Sequence, residues 1–420
     1  MTTTPEKSWV RQAALFLISQ TVTLFGSSIV QFAISWYITL TTQSGVMIAI
    51  STLAGFLPQA LISLFAGVWA DRYDRKRIII AADAVIAACT AVLALLFFLG
   101  YQELWLLFVI SAVRSVGSGL QIPAVSAFLP EIVPQEKLMR VNGINSTIQS
   151  VMFLLSPAVA GWLYGGLGIT PVFLVDVITA VVGIGVFLRV SAPPRELSQI
   201  QPGPLLGDMK SGFRYMTRTP WLWQMMLYYL LVGLMLSPSV ILTPLMVARS
   251  FGPEPWRLVT HEVVFSVGSI LGGVAVSLWG GFRNKTLTLI AASSFFGLVT
   301  VLMGFSRDFL FYLITMFPLG LVVPFIHTAS TTVMQTRTDP EMIGRVFGVS
   351  GIIGSAAMPL SMVWYGPLAD RISVELLLII TGVGMVLIGL LALKGRAMRE
   401  AGEPLPQEAQ SNAGDAAGQA

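Results

Sequence analysis

Long runs of apolar residues, separated by short polar breaks, follow one another from residue 11 to residue 394. A helix of about 20 apolar residues is long enough to cross the roughly 30 Å hydrocarbon core of a bilayer. Twelve runs reach that length, so the pattern predicts twelve membrane-spanning helices. Their predicted ranges are residues 11–40, 44–69, 78–99, 103–128, 138–165, 171–189, 220–248, 258–280, 286–305, 309–334, 345–368 and 374–394.

The longest polar break contains four prolines and divides the runs into six and six. The predicted fold is therefore an all-α integral membrane protein with twelve transmembrane helices in two six-helix bundles. Two similar segments, EKLMRVNG (136–143) and EMIGRVFG (341–348), follow the fourth and tenth runs and favour two copies of one repeat. We expect an N-terminal bundle in residues 1–189, a cytoplasmic linker in 190–219, a C-terminal bundle in 220–395 and a disordered cytoplasmic tail in 396–420.

Composition supports a membrane protein and argues against an enzyme. Only 11% of the residues are charged, against about 25% in soluble proteins, and the mean hydropathy is +0.78. The segment HEVVF has Phe265 in place of a second zinc-binding histidine, and GGFRNKT has Asn284 in place of the P-loop glycine. Since the chain contains one cysteine and two histidines, we expect no metal, no cofactor and no enzymatic activity.

The distribution of Lys and Arg predicts the orientation. If the N-terminus is cytoplasmic, 20 of the 25 basic residues lie in inside segments, four lie in outside segments and Arg114 lies within a span. Basic residues are retained on the cytoplasmic side during insertion, so we expect both termini in the cytoplasm and a multi-pass protein of the cytoplasmic (inner) membrane. The net charge of +4 then needs no nucleic acid or other anionic partner to explain it.

Polar residues inside three predicted helices repeat every three or four positions, which places them on one face of each helix. We predict that these stripes line a water-filled substrate cavity, because lipid offers them no hydrogen-bond partner. The alternative is that they mediate helix packing. The candidates are Gln20, Thr23, Ser27, Gln31 and Ser35 in the first helix, Ser118 and Gln121 in the fourth, and Asn142, Asn145 and Gln149 in the fifth.

Arg114 lies about 16 Å from the start of its predicted span, near the membrane centre. An arginine at that depth needs a cavity or an acidic partner. We predict a role in proton coupling, with a structural ion pair as the alternative. Asp83 and Asp176 are the candidate partners, and each is also a candidate proton carrier; the alternative is that each lies near the membrane interface with local partners.

The two histidines receive different interpretations. His327 lies within the tenth predicted helix and is a further proton-coupling candidate, because histidine changes charge near physiological pH. His261 and its neighbour Glu262 lie near the outer rim of the eighth helix. There we expect contact with solvent.

The segment GVWADRYDRK, residues 67–76, resembles the signature Gly-x-Leu-Ala-Asp-Arg-x-Gly-Arg-Lys that lies between helices two and three of the major facilitator superfamily. Trp69 and Asp74 depart from that signature. The segments FGSSIVQFAISWYIT, GFLPQA and VRSVGSGLQIPAVSAFLPEIVP are similar to the macrolide-efflux branch, to which the siderophore exporters are close. The resemblance covers residues 9–395 and implies two six-helix bundles around a central cavity.

The resemblance also implies a conformational latch on the cytoplasmic side. Asp71 is expected to meet the beginning of helix eleven near Arg345, where a carboxylate is stabilised by the helix dipole, and to favour the outward-open state. Arg75 is expected to pair with Glu131 in the same closure. The implied latch residues are Gly67, Asp71, Arg72, Arg75, Glu131 and Arg345.

Two further motifs are similar to those of exporters in this family. Arg114 corresponds to the helix-four arginine that is associated with proton coupling, although its glycines fall at Gly117 and Gly119. In helix five, SPAVAG is similar to the antiporter motif Gly-Pro-x-x-Gly-Gly. The candidate antiporter residues are Ser156, Pro157 and Gly161, with Ser156 standing in place of the first glycine.

The hypothesis from the sequence is a secondary active exporter of amphiphilic drugs or similar small molecules, driven by proton antiport through rocking of the two bundles. Its expected partners are that small molecule, protons and the lipid bilayer, and a monomer is expected. The alternatives are a siderophore or lipid exporter of the same fold and, in a different class, a membrane receptor that transports nothing. The polar stripes and Arg114 argue against a receptor, which has no need of a polar midplane.

Overall fold

The computed structural model describes residues 5–191 and 205–404, without the side chains of residues 5–8, 64, 67, 68, 70–72 and 205–210. Within this part of the chain all regular structure is helical. The first six spans are α1 (Pro5–Thr42), α2 (Gly45–Arg72), α3 (Arg75–Phe98), α4 (Leu104–Ile132), α5 (Gln135–Leu167) and α6 (Ile169–Phe187). A linker helix, α7 (Leu205–Arg218), precedes the second half.

The seventh span is irregular. It consists of α8 (Pro220–Ser237), a π-helical turn (Pro238–Leu242), the short α9 (Thr243–Met246) and a second π-helical turn (Val247–Phe251). Pro238 and Pro244 lie at the beginnings of these segments, and a proline inside a helix removes a backbone donor and breaks the regular ladder. The remaining spans are α10 (Pro255–Trp279), α11 (Lys285–Gly304), α12 (Phe309–Arg337), α13 (Ile343–Ala369) and α14 (Val374–Ala392), followed by α15 (Arg396–Ala401).

Twelve helices of the described chain are long and apolar enough to cross a membrane, and they correspond one to one to the twelve predicted runs. The predicted fold class is confirmed. Helix ends follow local capping chemistry, because a side-chain oxygen satisfies the free N–H groups of a first turn. The capping residues that accept such bonds are Ser44, Asp74, Asn284, Asp308 and Ser373. Asp74, which departs from the family signature, thus caps α3 through the N–H groups of residues 76 and 77.

The helices pack as two bundles. In the first, α2 packs on α4 and α1 on α6; in the second, α10 packs on α12 and α11 on α14. Backbones approach closely where glycine allows it: a Cβ on Gly272 of α10 would lie 2.0 Å from the carbonyl oxygen of Leu321 in α12. We call the end that carries residues 73 and 74 the inner side, which is cytoplasmic under the predicted orientation, and the opposite end the outer side.

The prediction of a disordered tail from residue 396 is wrong for its first part. Residues 396–401 form α15, which buries Met398 against the inner end of the second bundle. The hydroxyl of Thr286 donates to the carbonyl of Met398 at 2.8 Å, and Gln224 accepts from its N–H at 3.1 Å. Apolar burial and satisfied backbone groups together order this segment. Residues 405–420 lie outside the described part of the chain.

Candidate functional site

A buried ion pair lies in the middle of the first bundle. The guanidinium of Arg114 (α4) donates to the carboxylate of Asp176 (α6) and to the hydroxyl of Thr90 (α3). These three residues are 6%, 1% and 0% exposed, respectively. Ser27 of α1 donates to the other carboxylate oxygen at 3.0 Å. Four helices therefore converge on one charged pair, which is electrically neutral while Asp176 is ionised.

A second polar contact lies two helical turns closer to the inner side. Gln121 of α4 donates to Asp83 of α3 at 2.5 Å, and Asp83 is 5% exposed. Since Gln121 follows Arg114 by seven residues and Asp83 precedes Thr90 by seven, the two contacts form adjacent rungs between antiparallel helices. Of the two predicted partners of Arg114, the structure therefore pairs Asp176 with it. The carboxyl of Asp83 accepts from an amide, a bond that it keeps with or without a proton.

A cavity of about 720 Å³ lies between the two bundles in their inner half. One wall is α5 and the opposite wall is α10, with one residue from α12. The α10 wall is a stripe of small residues that share one helix face. The lining includes Ser146, Gln149, Ser150 and Phe153 of α5, Ser266, Ser269, Gly273 and Ser277 of α10, and Pro324 of α12. The residues of this α10 stripe were not among the predicted cavity residues, although they recur at helical spacing in the segment FSVGSILGGVAVS.

A smaller cavity of about 220 Å³ lies within the second bundle, among α8, α10, α12 and α13. His327 lines it, together with Tyr229, Phe265 and Met358. The other lining residues are mostly aliphatic, so His327 and Tyr229 are its polar groups. This surface suits the apolar part of an amphiphilic molecule.

The polar residues predicted to line a cavity have several different surroundings. Gln149 lines the cavity between the bundles, whereas Ser27 and Gln121 belong to the two polar contacts. Thr23 is 4% exposed and packs against Gly183 of α6, where an added Cβ would lie 2.4 Å from its methyl group. Thr23 therefore mediates helix packing, the alternative considered for these stripes. The remaining predicted residues also lie outside both cavities; they are Gln20, Gln31, Ser35, Ser118, Asn142 and Asn145.

The bundles touch on the outer side, above the larger cavity. A Cβ on Gly161 of α5 would lie 1.9 Å from Val259 of α10, and one turn further Gly165 lies beside Pro255. The other antiporter-motif residues, Ser156 and Pro157, are buried in the same helix. All hydrogen bonds between the bundles whose atoms are described likewise lie on the outer side. Among the described residues, the bundles therefore meet on the outer side, while a cavity separates α5 from α10 on the inner side.

The predicted latch is only partly within the described chain. Arg75 donates to Glu131 at 2.9 Å and to the carbonyl of Ala127 at 2.6 Å, so the expected ion pair is present. Both partners belong to the first bundle, so this pair does not itself join the two bundles. Its part in the inner closure stays a prediction.

The other latch residues lie at the inner ends of α2 and α13. The side chains of Asp71 and Arg72 and the surroundings of Gly67 lie outside what the structure describes. Arg345 packs against the linker helix, where a Cβ on Gly212 would lie 3.1 Å from it.

The expectation that His261 contacts solvent is wrong. His261 is 3% exposed, and its Nδ1 lies 2.5 Å from the hydroxyl of Tyr312 in α12. Its ring stacks on Tyr312, and Glu262 lies 3.7 Å from its Nε2. The outer part of α10 is buried because α12 packs along it, so the short distance to the outer rim does not bring water to this face.

Comparisons with known proteins agree with this architecture. The family model of the Major Facilitator Superfamily matches residues 16–362. Macrolide efflux protein A of Streptococcus pyogenes is 29% identical over 387 residues, which are 91% of this chain and 95% of that protein. The multidrug efflux pump Tap of Mycolicibacterium fortuitum is 24% identical over 385 residues, 89% of this chain and 93% of the pump.

A solved structure shows the same fold. The crystal structure of the nucleoside transporter NupG superposes with a TM-score of 0.70 at 11% identity, covering 92% of this chain and 99% of that one. The family model extends over most of both bundles, and the resemblance inferred from residues 67–76 is confirmed. This twelve-helix, multi-pass membrane protein therefore belongs to the major facilitator superfamily.

Proposed function

We propose that the protein is a secondary active exporter of amphiphilic drugs or similar small molecules, driven by proton antiport. The observation that carries the proposal is the buried pair of Arg114 and Asp176 in the middle of the first bundle. A buried ion pair adds little net stability compared with apolar packing, so its presence at membrane depth favours a functional role.

Proton binding at Asp176 changes this site in a defined way. A protonated carboxyl loses most of its attraction for the guanidinium, while Arg114 keeps its contacts with Thr90 and with the carbonyl of Ser27. The ion pair that joins α4 and α6 is then weakened. Because side chains of α1 and α3 also hydrogen-bond to Asp176, the change reaches four helices. We infer that the occupancy of this proton site biases the arrangement of the bundles. Asp83 and His327 remain candidates for relaying the proton.

Alternating access is the proposed transport mechanism. In this structure the bundles touch on the outer side and enclose a cavity on the inner side, which suits the loading of substrate from the cytoplasm. Rocking of the two bundles would break the contact of Gly161 with Val259 and close the cavity between α5 and α10. Under the predicted orientation the substrate then leaves outward across the inner membrane.

The cavity walls support an amphiphilic substrate. Serines and Gln149 on α5 and α10 offer hydrogen bonds, and the smaller cavity offers aromatic and aliphatic surface. The names of the two relatives, a macrolide efflux protein and a multidrug efflux pump, point to substrates of this kind.

The test is transport in proteoliposomes that contain the purified protein. A radiolabelled macrolide and a fluorescent lipophilic dye are supplied with and without an imposed pH gradient. We expect substrate to accumulate against its concentration gradient only when protons can flow down their own gradient in the direction opposite to substrate movement. Transport that ignores the pH gradient would contradict proton antiport. The absence of transport for every lipophilic compound, with transport of a siderophore or a lipid instead, would support the alternative exporters.

A further inference from the structure

Asp370 connects the two bundles on the outer side. It follows the last residue of α13 and reaches the beginning of α2 in the other bundle. Its carboxylate accepts from the N–H groups of Gly45 at 2.6 Å and Val46 at 3.0 Å, and from the hydroxyl of Ser44 at 2.7 Å. A carboxylate from one bundle therefore caps a helix of the other.

Arg249, at the outer end of the seventh span, completes this contact. Its guanidinium donates to Asp370 at 2.8 Å and to the carbonyl of Ala369 at 2.6 Å. It also donates to the carbonyl of Gln43, which belongs to the first bundle, at 3.0 Å. We call the group formed by residues 44–46, Arg249 and Asp370 the outer clasp.

The backbone around the outer clasp is built for close approach. A Cβ on Gly45 would lie 2.4 Å from the carbonyl oxygen of Gly366, and a Cβ on Gly366 would lie 2.5 Å from the Cβ of Ala49. These glycines let α2 and α13 cross in contact, which brings the carboxylate to the helix N-terminus. There it satisfies free N–H groups and lies at the positive end of the helix dipole.

The residues that end α13 repeat those that end α2. Residues 67–72 read GVWADR and residues 366–371 read GPLADR, with Gly, Ala, Asp and Arg at the same places. The two helices run in opposite directions, so one copy lies on the inner side and the other on the outer side. The copy in α13 ends beside the beginning of α2. Asp370 occupies in its copy the position that Asp71 occupies in the first.

We propose that Asp370 is the outer counterpart of the inner latch that the family resemblance implies for Asp71, so that α2 and α13 form a reciprocal pair of clasps of which one is closed at a time. The outer clasp is engaged in this structure, in which a cavity separates α5 from α10 on the inner side. The proposal concerns the equilibrium between two conformations, so it holds for any substrate and any coupling ion. Its failure is therefore distinguishable from failure of the proposed function.

The test measures distances across each side by pulsed electron paramagnetic resonance. Spin labels are placed on cysteines in a Cys89→Ser background of the full chain in nanodiscs. The outer pair is Gln102→Cys and Glu254→Cys, and the inner pair is Met139→Cys and Glu341→Cys; all four positions are exposed and the two members of each pair belong to different bundles. Each pair is then combined with Asp370→Asn.

We expect Asp370→Asn to raise the ratio of long to short outer distances by about tenfold, which corresponds to about 1.4 kcal/mol. At the inner pair, the ratio of short to long distances should rise by the same factor. The matched control is Asp308→Asn, which removes a carboxylate that caps α12 within its own bundle, by a bond of 2.8 Å to the N–H of Phe311. This control should leave both distances unchanged.

The opposite variant tests reciprocity. Asp71→Asn should shift the population toward the inward-open state, in the direction opposite to Asp370→Asn. A general loss of stability would not move the two variants in opposite directions. The proposal is overturned if Asp370→Asn leaves the outer distances as in the parent, or if Asp71→Asn and Asp370→Asn shift them in the same direction.

Discussion

Arg114 and Asp176 illustrate how a buried charge is accommodated at membrane depth. The pair uses side chains from four helices, and each partner has hydrogen bonds beyond the ion pair itself. Removing one partner leaves an unpaired charge buried away from water, whereas removing both partners costs less free energy of folding. A variant that lacks both partners can therefore keep its stability and still reveal whether transport depends on the pair.

We expect Arg114→Ala or Asp176→Asn alone to lower the free energy of unfolding by about 3–5 kcal/mol, because the remaining partner stays buried and unpaired. The double variant Arg114→Gln/Asp176→Asn should recover most of that loss, which thermal unfolding in detergent measures. It should still exchange labelled for unlabelled substrate but no longer accumulate substrate against its gradient. Uphill transport by the double variant at the parent's rate would assign the pair a purely structural role.

Asp370 has a different electrostatic environment at the outer surface. Burial raises the pKa of its carboxyl, but the N–H groups of Val46 and Gly45, the hydroxyl of Ser44 and the guanidinium of Arg249 outweigh burial and hold the pKa below its ordinary value. A group with a depressed folded-state pKa contributes its stabilisation above the unfolded-state pKa and loses it only as the pH falls through the folded-state value.

The carboxyl of Asp370 should therefore remain ionised throughout the physiological pH range. In the Arg114→Gln/Asp176→Asn variant, which lacks the proposed proton site, we expect the distribution of outer distances between labels at residues 102 and 254 to stay constant from about pH 8 to about pH 5 and to change only under stronger acid. Measurement at three pH values without substrate checks this. A shift to long distances near pH 6 would mean that a group other than Asp370 controls this side.

At the level of helices, sequence periodicity predicted the twelve spans but not which face of each helix meets a cavity. Thr23 and Ser27 lie on the same predicted stripe, yet one packs against Gly183 and the other contacts Asp176. A serine or threonine in a helix can bond to its own preceding turn, as Thr23 does with Ser19, so its polarity does not require water. Only the packing of neighbouring helices decides its role.

Charged residues were more informative than small polar ones. The depth of Arg114 predicted an acidic partner, and the structure contains one. The sequence alone left Asp83 and Asp176 as equal candidates, because both lie within predicted spans. Packing decides between them, since α6 brings Asp176 to the level of Arg114 while α3 brings Asp83 beside Gln121. The outer clasp was not predicted because its residues are far apart in the chain.

The contact of α5 with α10 gives a prediction at this scale. Gly161→Ala would place a Cβ 1.9 Å from Val259, so the two helices must separate and the outer contact weakens. We expect longer outer distances than in the parent. The control is Gly166→Ala on the same helix, where nothing lies within 4 Å of the added Cβ. Both changes alter helix propensity in the same direction, so equal effects of the two would contradict a steric role for Gly161.

For the whole molecule, the described contacts between the two bundles are made mainly by α2 with α13 and by α5 with α10. The ion pair of Arg75 with Glu131, the capping of α3 by Asp74 and the docking of α15 all lie within a single bundle. These contacts keep each bundle rigid. The contacts between bundles include close approaches at glycines and the polar outer clasp, and polar interfaces between domains are typical of parts that move relative to each other.

The neutrality of the buried pair has a consequence for the energy source of transport. Under the proposed antiport, proton uptake by Asp176 changes the net charge of the Arg114–Asp176 site from zero to one positive elementary charge. Carrying one such charge across the membrane is worth about 2.3 kcal/mol per 100 mV, so the return step should respond to voltage as well as to pH. With a neutral substrate and equal pH on both sides, an inside-negative potential set by potassium and valinomycin should drive export in the parent protein. The Arg114→Gln/Asp176→Asn variant should not respond to voltage. In a cell that respires too weakly to acidify its surroundings, the membrane potential alone would still drive export.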